Sequence, residues 1–187
     1  MTDLIPLTAL GATDLRTERF GALTIAENDS YGLASLTLRK GQNAPTPFGL
    51  TLPKAGFAAQ SGSTSAIWTG PDQWMIVGAG QGQTDFAAQV HPQAPNCSVT
   101  EQTDGFVCFD IRSDAGGMPI AALISKLVNL PPDTYAEGRA TRTALEHMTV
   151  FLHRREEGHL SILGLRSYAG SLWHALVTAA ERLAQAA

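Results

Sequence analysis

The stretch Glu146-His-Met-Thr-Val-Phe-Leu-His153-Arg-Arg-Glu-Glu-Gly158-His159-Leu-Ser-Ile-Leu-Gly-Leu165 decides the fold class. Residues 146–153 and 159–165 read as two strands, and Arg154-Arg155-Glu156-Glu157-Gly158 reads as the turn between them. A parallel pairing needs a crossover of roughly a dozen residues, so these strands form an antiparallel hairpin.

The same punctuation recurs upstream. Strands at 97–102 and 106–112 flank Thr103-Asp104-Gly105, a hairpin signal. Strands at 66–69 and 74–77 flank Gly70-Pro71-Asp72-Gln73. Strands at 23–25 and 33–39 are separated by the turn cluster Asn28-Asp29-Ser30. A short strand is expected at 142–145. Helices punctuate the pattern. Ile120, Leu123, Ile124, Leu127 and Val128 fall on one helical face, with Pro119 in the first turn and Pro131-Pro132 as the stop. Leu172, Leu176, Ala179 and Leu183 form a stripe on a last helix over 171–184. A short helix is expected over 84–90. The Gly-, Pro- and Gln-rich residues 41–63 read as an irregular connection, and residues 1–15 as an arm gripped by Leu4, Ile5, Leu7 and Leu10.

This order predicts an α+β fold with mainly antiparallel sheets and packed helices. The predicted domain is one unit, 1–187, built from two similar halves at about 15–95 and 96–187 that share one core.

Composition narrows the function. Charged residues number 30 of 187, 16 %, where about 25 % is usual, so roughly 17 charges are missing. A net charge of −4, with no Lys/Arg run longer than two, excludes the usual nucleic-acid binder. No apolar run approaches the ~18 residues of a membrane span, and the first ten residues lack a basic leader. Cys97 and Cys108 read as reduced core thiols. The chain is therefore expected to be cytoplasmic, with neither nucleic acid nor membrane as partner.

Candidate chemistry is sparse. Gly78, Gly80 and Gly82 follow a strand, but Gln83 stands where a dinucleotide fingerprint needs glycine, so a mobile turn is expected. His147 and His153, placed on one strand, would lie about 20 Å apart at ~3.3 Å per residue, too far to share a metal. With His159 they read as a solvated hairpin face. Glu156 and Glu157 read as a solvated tip. Cys108 reads as a buried small hydrophobe. Trp68, Trp74 and Trp173 read as core or interface anchors, core being the commoner place for tryptophan. No nucleophile has a base placed near it. No catalytic, cofactor-binding or metal residue is assigned.

Three segments resemble the gamma subunit of heterotetrameric sarcosine oxidase. They are Trp68-Thr69-Gly70-Pro71-Asp72-Gln73-Trp74-Met75-Ile76-Val77, the strand 106–112 with the helix reaching Leu130-Pro131, and Leu165-Arg166-Ser167-Tyr168-Ala169-Gly170-Ser171-Leu172-Trp173. The middle segment departs from the family pattern at Cys108-Phe109-Asp110-Ile111, and residues 41–63 align with no motif.

The resemblance implies a fold built on a duplicated unit like the folate-binding domain of aminomethyltransferases. It implies a non-catalytic, cofactor-free subunit of a complex that oxidatively demethylates sarcosine to glycine, yielding hydrogen peroxide and formaldehyde or 5,10-methylenetetrahydrofolate. The partners implied are the alpha, beta and delta subunits, which carry FAD, FMN, NAD and zinc and act with tetrahydrofolate. Structural or interface roles then fall to Gly70, Pro71, Asp72, Trp74, Arg166, Ser167, Ser171, Leu172 and Trp173. Ser167 or Ser171 is expected to cap the last helix, and Arg166 to pair with an acid across an interface or, failing that, in a local surface pair. The alternative is a free-standing folate-binding protein of the aminomethyltransferase type, holding a pterin with a carboxylate such as Asp110.

Overall fold

The computed structural model describes residues 5–186. The strands are β1 (Thr17–Phe20), β2 (Leu23–Asn28), β3 (Tyr31–Leu38), β4 (Ala58–Ser61), β5 (Thr64–Gly70), β6 (Gln73–Ala79), β7 (Cys97–Glu101), β8 (Phe106–Ser113), β9 (Ala140–Leu145), β10 (Met148–Glu156) and β11 (His159–Leu165). The helices are α1 (Phe86–Val90), α2 (Met118–Leu127) and α3 (Ala169–Ala186). Among the described residues, no helix is long and apolar enough to cross a membrane.

Two sheets form. One runs β1-β2-β8-β11-β10-β9 and the other β4-β5-β6-β3-β7, with every neighbouring pair antiparallel. This is the α+β arrangement that the short turns predict.

Set side by side, the two orders correspond. Strands β2-β8-β11-β10-β9 match β7-β3-β6-β5-β4 in position and chain sequence. Each half keeps four strands, while the strand before them crosses to the other half's sheet, β2 taking the edge strand β1 with it. Thus β2 pairs with β8, and β7 pairs with β3.

The core is layered rather than single. α2 and α3 cover the outer face of the larger sheet through Ile25, Phe109, Ile111, Leu123, Leu172 and Trp173. α1 and the irregular segment cover the other sheet, where Leu36, Leu50, Trp74, Ile76 and Phe86 pack. A third cluster, including Leu33, Ile67, Met75, Cys108, Phe151 and Leu163, joins the inner faces. Period-two alternation sends Phe109 and Ile111 outward to the helices and Cys108 and Asp110 inward, between the sheets.

Several local expectations change. β1 and β4 are short edge strands without a hydrophobic run to announce them. β4 arises inside the segment read as irregular, and a bridge from Phe57 to Arg139 ties its start to the other sheet. His147 is not on a strand: Glu146 and His147 form the β9–β10 turn, both at positive φ. α3 begins at Ala169, continuing a 3₁₀ turn over Arg166–Tyr168. That continuation gives the Ala169 N–H the Arg166 carbonyl as acceptor. In the arm, Ala9 and Leu10 pack on the core, while Ile5 and Leu7 are exposed. Leu4 lies outside the described residues.

Candidate functional site

The glycine loop is a packing device. A side chain at Gly78 would strike the Phe86 ring at 2.6 Å, and one at Gly82 the Asp29 carbonyl oxygen at 1.8 Å. The N–H groups that open α1 are already taken: Asp85 accepts from Ala88 at 3.0 Å, and Glu101 from Ala87 at 2.8 Å. Burial pushes the Glu101 carboxyl up, but bonds from Thr103, Ala87 and Gln102 outweigh it and hold the group low. Two carboxylates therefore occupy the place a phosphate would need.

The segments carrying the family resemblance divide into interior and surface residues. Gly70 closes β5 and is buried, and Pro71 and Asp72 make the exposed turn into β6. Asp72 sits at φ 56°, a left-handed conformation that aspartate tolerates, and its carbonyl accepts from Leu38. Trp74 is buried, and its indole N–H donates to the Pro53 carbonyl at 2.8 Å, pinning the irregular segment to the sheet. Leu172 and Trp173 are interior, with the Trp173 ring 5.3 Å from that of Phe109. Trp68 lies half-buried against the outer cluster of the smaller sheet. Ser167 and Ser171 are exposed. Arg166 meets no acid among the described residues; it donates to the Leu7 carbonyl at 2.8 Å and clasps the arm. Glu27, also buried, accepts from the arm at Leu10 N and Arg16 N.

A polar cluster that the sequence reading missed sits between the sheets. Asp110 is 6 % exposed. Ser161 donates to its Oδ1 at 2.6 Å, and Asn28 to its Oδ2 at 2.7 Å. His159 Nε2 stands 3.0 Å from Oδ1, at ion-pair distance but off the line of a hydrogen bond. Behind Ser161, Arg155 Nε donates to Ser161 Oγ at 2.8 Å. The Arg155 guanidinium lies 4.5 Å over the Tyr31 ring.

The electrostatics follow from this geometry. Burial raises the Asp110 carboxyl, but its contacts with His159, Ser161 and Asn28 outweigh that and hold it at about 2. Burial, then the charges of Arg155 and His159, drive His153 down to about 3, so it is neutral inside the fold. Burial and the neighbouring Asp110 push the Cys108 thiol well up, so it is no nucleophile. Burial and Asp110 likewise raise Tyr31.

His153 and His159 are thus interior residues, not a solvated face, and Arg154 is buried as well. The signal was in β11: His159, Ser161 and Leu163 alternate with Leu160 and Ile162. What hid it was the second layer, since a polar face becomes interior only when another sheet covers it.

Two clefts open beside this cluster and share Tyr31. One, about 310 Å³, is lined by the arm with Asn28, Asp29, Phe106, Cys108 and Arg166. The other, about 300 Å³, is lined by Gln60, Ser65, Arg155, Glu156 and His159. Among the described residues, no three His, Cys, Asp or Glu side chains come together to hold a metal.

This architecture has solved counterparts. A chain of heterotetrameric sarcosine oxidase from Corynebacterium sp. U-96, in complex with pyrrole 2-carboxylate, superposes at a TM-score of 0.71 with 20 % identity, over 89 % of this chain and 88 % of that one. The chain has the fold of a sarcosine oxidase chain. The glycine cleavage system aminomethyltransferase T from Bartonella henselae matches at a TM-score of 0.56 with 14 % identity, over 81 % of this chain. This chain spans only 44 % of that enzyme. No family model and no curated protein matches the sequence.

Proposed function

We propose that the chain is a non-catalytic, cofactor-free subunit of a heterotetrameric sarcosine oxidase, in the gamma position. The observation that carries this is the near end-to-end overlap with a chain of that oxidase, 89 % of one and 88 % of the other. In this reading FAD, FMN, NAD and zinc belong to the alpha, beta and delta partners. Those chains oxidise sarcosine to glycine and pass on the one-carbon unit to tetrahydrofolate or as formaldehyde.

The charge deficit supports a subunit role. Between Gly41 and Thr84 only Lys54 and Asp72 are charged. Much of that segment lies at the surface of the smaller sheet, with Phe57 46 % exposed. Interface cores are depleted in Lys, Glu and Asp. The test is to tag the chain in its native host and identify what co-purifies. Flavoprotein partners are the expected result, and recovery as a lone monomer would sink the reading.

A second reading, a folate-binding protein, draws on the aminomethyltransferase likeness and on Asp110 beside Tyr31. Against it stand the saturation of Asp110 by its neighbours and clefts at the small end of ligand sites, roughly 300–1,000 Å³. Titrating the pure chain with tetrahydrofolate decides: tight one-to-one binding would favour it over the subunit reading.

A further inference from the structure

The polar cluster contains groups that the fold leaves unsatisfied. Among the described residues, six buried side-chain atoms lack a hydrogen-bond partner. Two of them, Ser65 Oγ and Arg155 Nη2, belong to residues lining the 300 Å³ cleft, and a third, His159 Nε2, has only the ion-pair approach of Asp110 at 3.0 Å. Buried polar groups in native proteins nearly always find partners, and the exceptions mark strain, function, or a water or ion. Ser65, Arg155 and His159 all belong to the wall of the 300 Å³ cleft.

Arg155 sets the chemistry. One edge of its guanidinium is held by Ser161, and its face by Tyr31. No carboxylate comes within salt-bridge distance of it among the described residues. Asp110 is engaged by Ser161, Asn28 and His159, and Glu156 on the rim is shared between Arg112 at 3.7 Å and His159 Nδ1 at 3.9 Å. A guanidinium oriented in this way, with its remaining edge unmatched, suits the two oxygens of a carboxylate. Ser65 adds a hydroxyl from the opposite sheet, on the same inner face as Met75 and Val77.

We infer that the cleft between the β4–β5 turn and the β10–β11 turn binds a small carboxylate, with Arg155 as the fork and Ser65 as the second donor. At about 300 Å³ the cleft has room for a small organic acid. The inference is independent of which partners the chain assembles with.

The test is an amide-shift titration of the isotopically labelled full chain with sodium acetate, repeated with inorganic phosphate. Saturable shifts confined to Ser65, Ala79, Arg155 and His159 are expected, with acetate bound more tightly than phosphate. Arg155→Gln should weaken acetate binding by about tenfold or more, as loss of a charged hydrogen bond implies. Ser65→Ala serves as the second variant, because its hydroxyl has no partner in the fold. It should stay folded and bind acetate several-fold more weakly. Unsaturable shifts, tighter binding of phosphate, or unchanged affinity in a folded Ser65→Ala would each overturn the inference.

Discussion

Asn28 donates a 2.7 Å hydrogen bond to Asp110, and with it the first half of the chain holds the second. Asn28 ends the strand that leaves its own half, and Asp110 lies on the strand that receives it. The exchange of strands thus has a polar fastening between the sheets.

Asp110 should make the fold sensitive to acid. Its folded pKa of about 2 lies below the ordinary 3.8, so its stabilisation is complete above about pH 4 and is lost as pH falls toward 2. The full effect is about 2 kcal/mol. Asp110→Asn should be destabilised near neutral pH and should lose stability less steeply in that window. Urea unfolding at a series of pH values checks both outcomes.

His153 acts in a different window. It is held neutral at a pKa of about 3, while the unfolded chain takes up a proton below about 6.5. Stability should therefore fall as pH drops from 6.5 toward 3, by up to about 1.4 kcal/mol per pH unit from this group. His153→Phe should flatten that slope between pH 6 and 4 and leave the Asp110 step below it. A single step removed by both variants would contradict the separation.

The glycine loop gives a steric prediction. Gly82→Ala meets the Asp29 carbonyl oxygen at 1.8 Å, a backbone clash with no soft side chain to yield. It should cost more than about 3 kcal/mol. Gly80→Ala meets nothing, but its φ of 74° strains alanine, at about 1 kcal/mol. Melting temperatures of the two variants should separate clearly. Equal values would show the loop relaxing.

Trp173 and Leu172 should behave as core residues. Trp173→Ala removes the ring packed on Phe109 and should cost about 3–5 kcal/mol, with Leu172→Ala at about 2–5. Loss of partner binding without loss of stability would instead place Trp173 at an interface.

The charge-poor surface gives a test of assembly. Thr51 and Ala55 are exposed in the segment that carries only two charges. The double variant Thr51→Glu, Ala55→Glu should fold normally and recover less of the partner chains on co-purification. Undiminished recovery would move the interface elsewhere.

Local sequence was enough for what depends on local forces. Short turns between apolar runs, the helical stripe from Ile120 to Val128 and the paired prolines after it determined an antiparallel α+β fold. The segments around Trp74 and Trp173 carry the sarcosine oxidase likeness in the sequence itself.

What the chain alone could not show depends on which surfaces meet. β1 and β4 exist because neighbouring strands offer them an edge, not because their residues favour strands. His153 and His159 look solvated in sequence, since a charged turn adjoins them. They become interior because the smaller sheet closes over that face. The pairing of Asp110 with Ser161, 51 residues away, and with Asn28, 82 residues away, exists only after the strands are exchanged. Hydrophobic periodicity is written in neighbouring residues, whereas a buried polar network is set by contacts that only the packed sheets create.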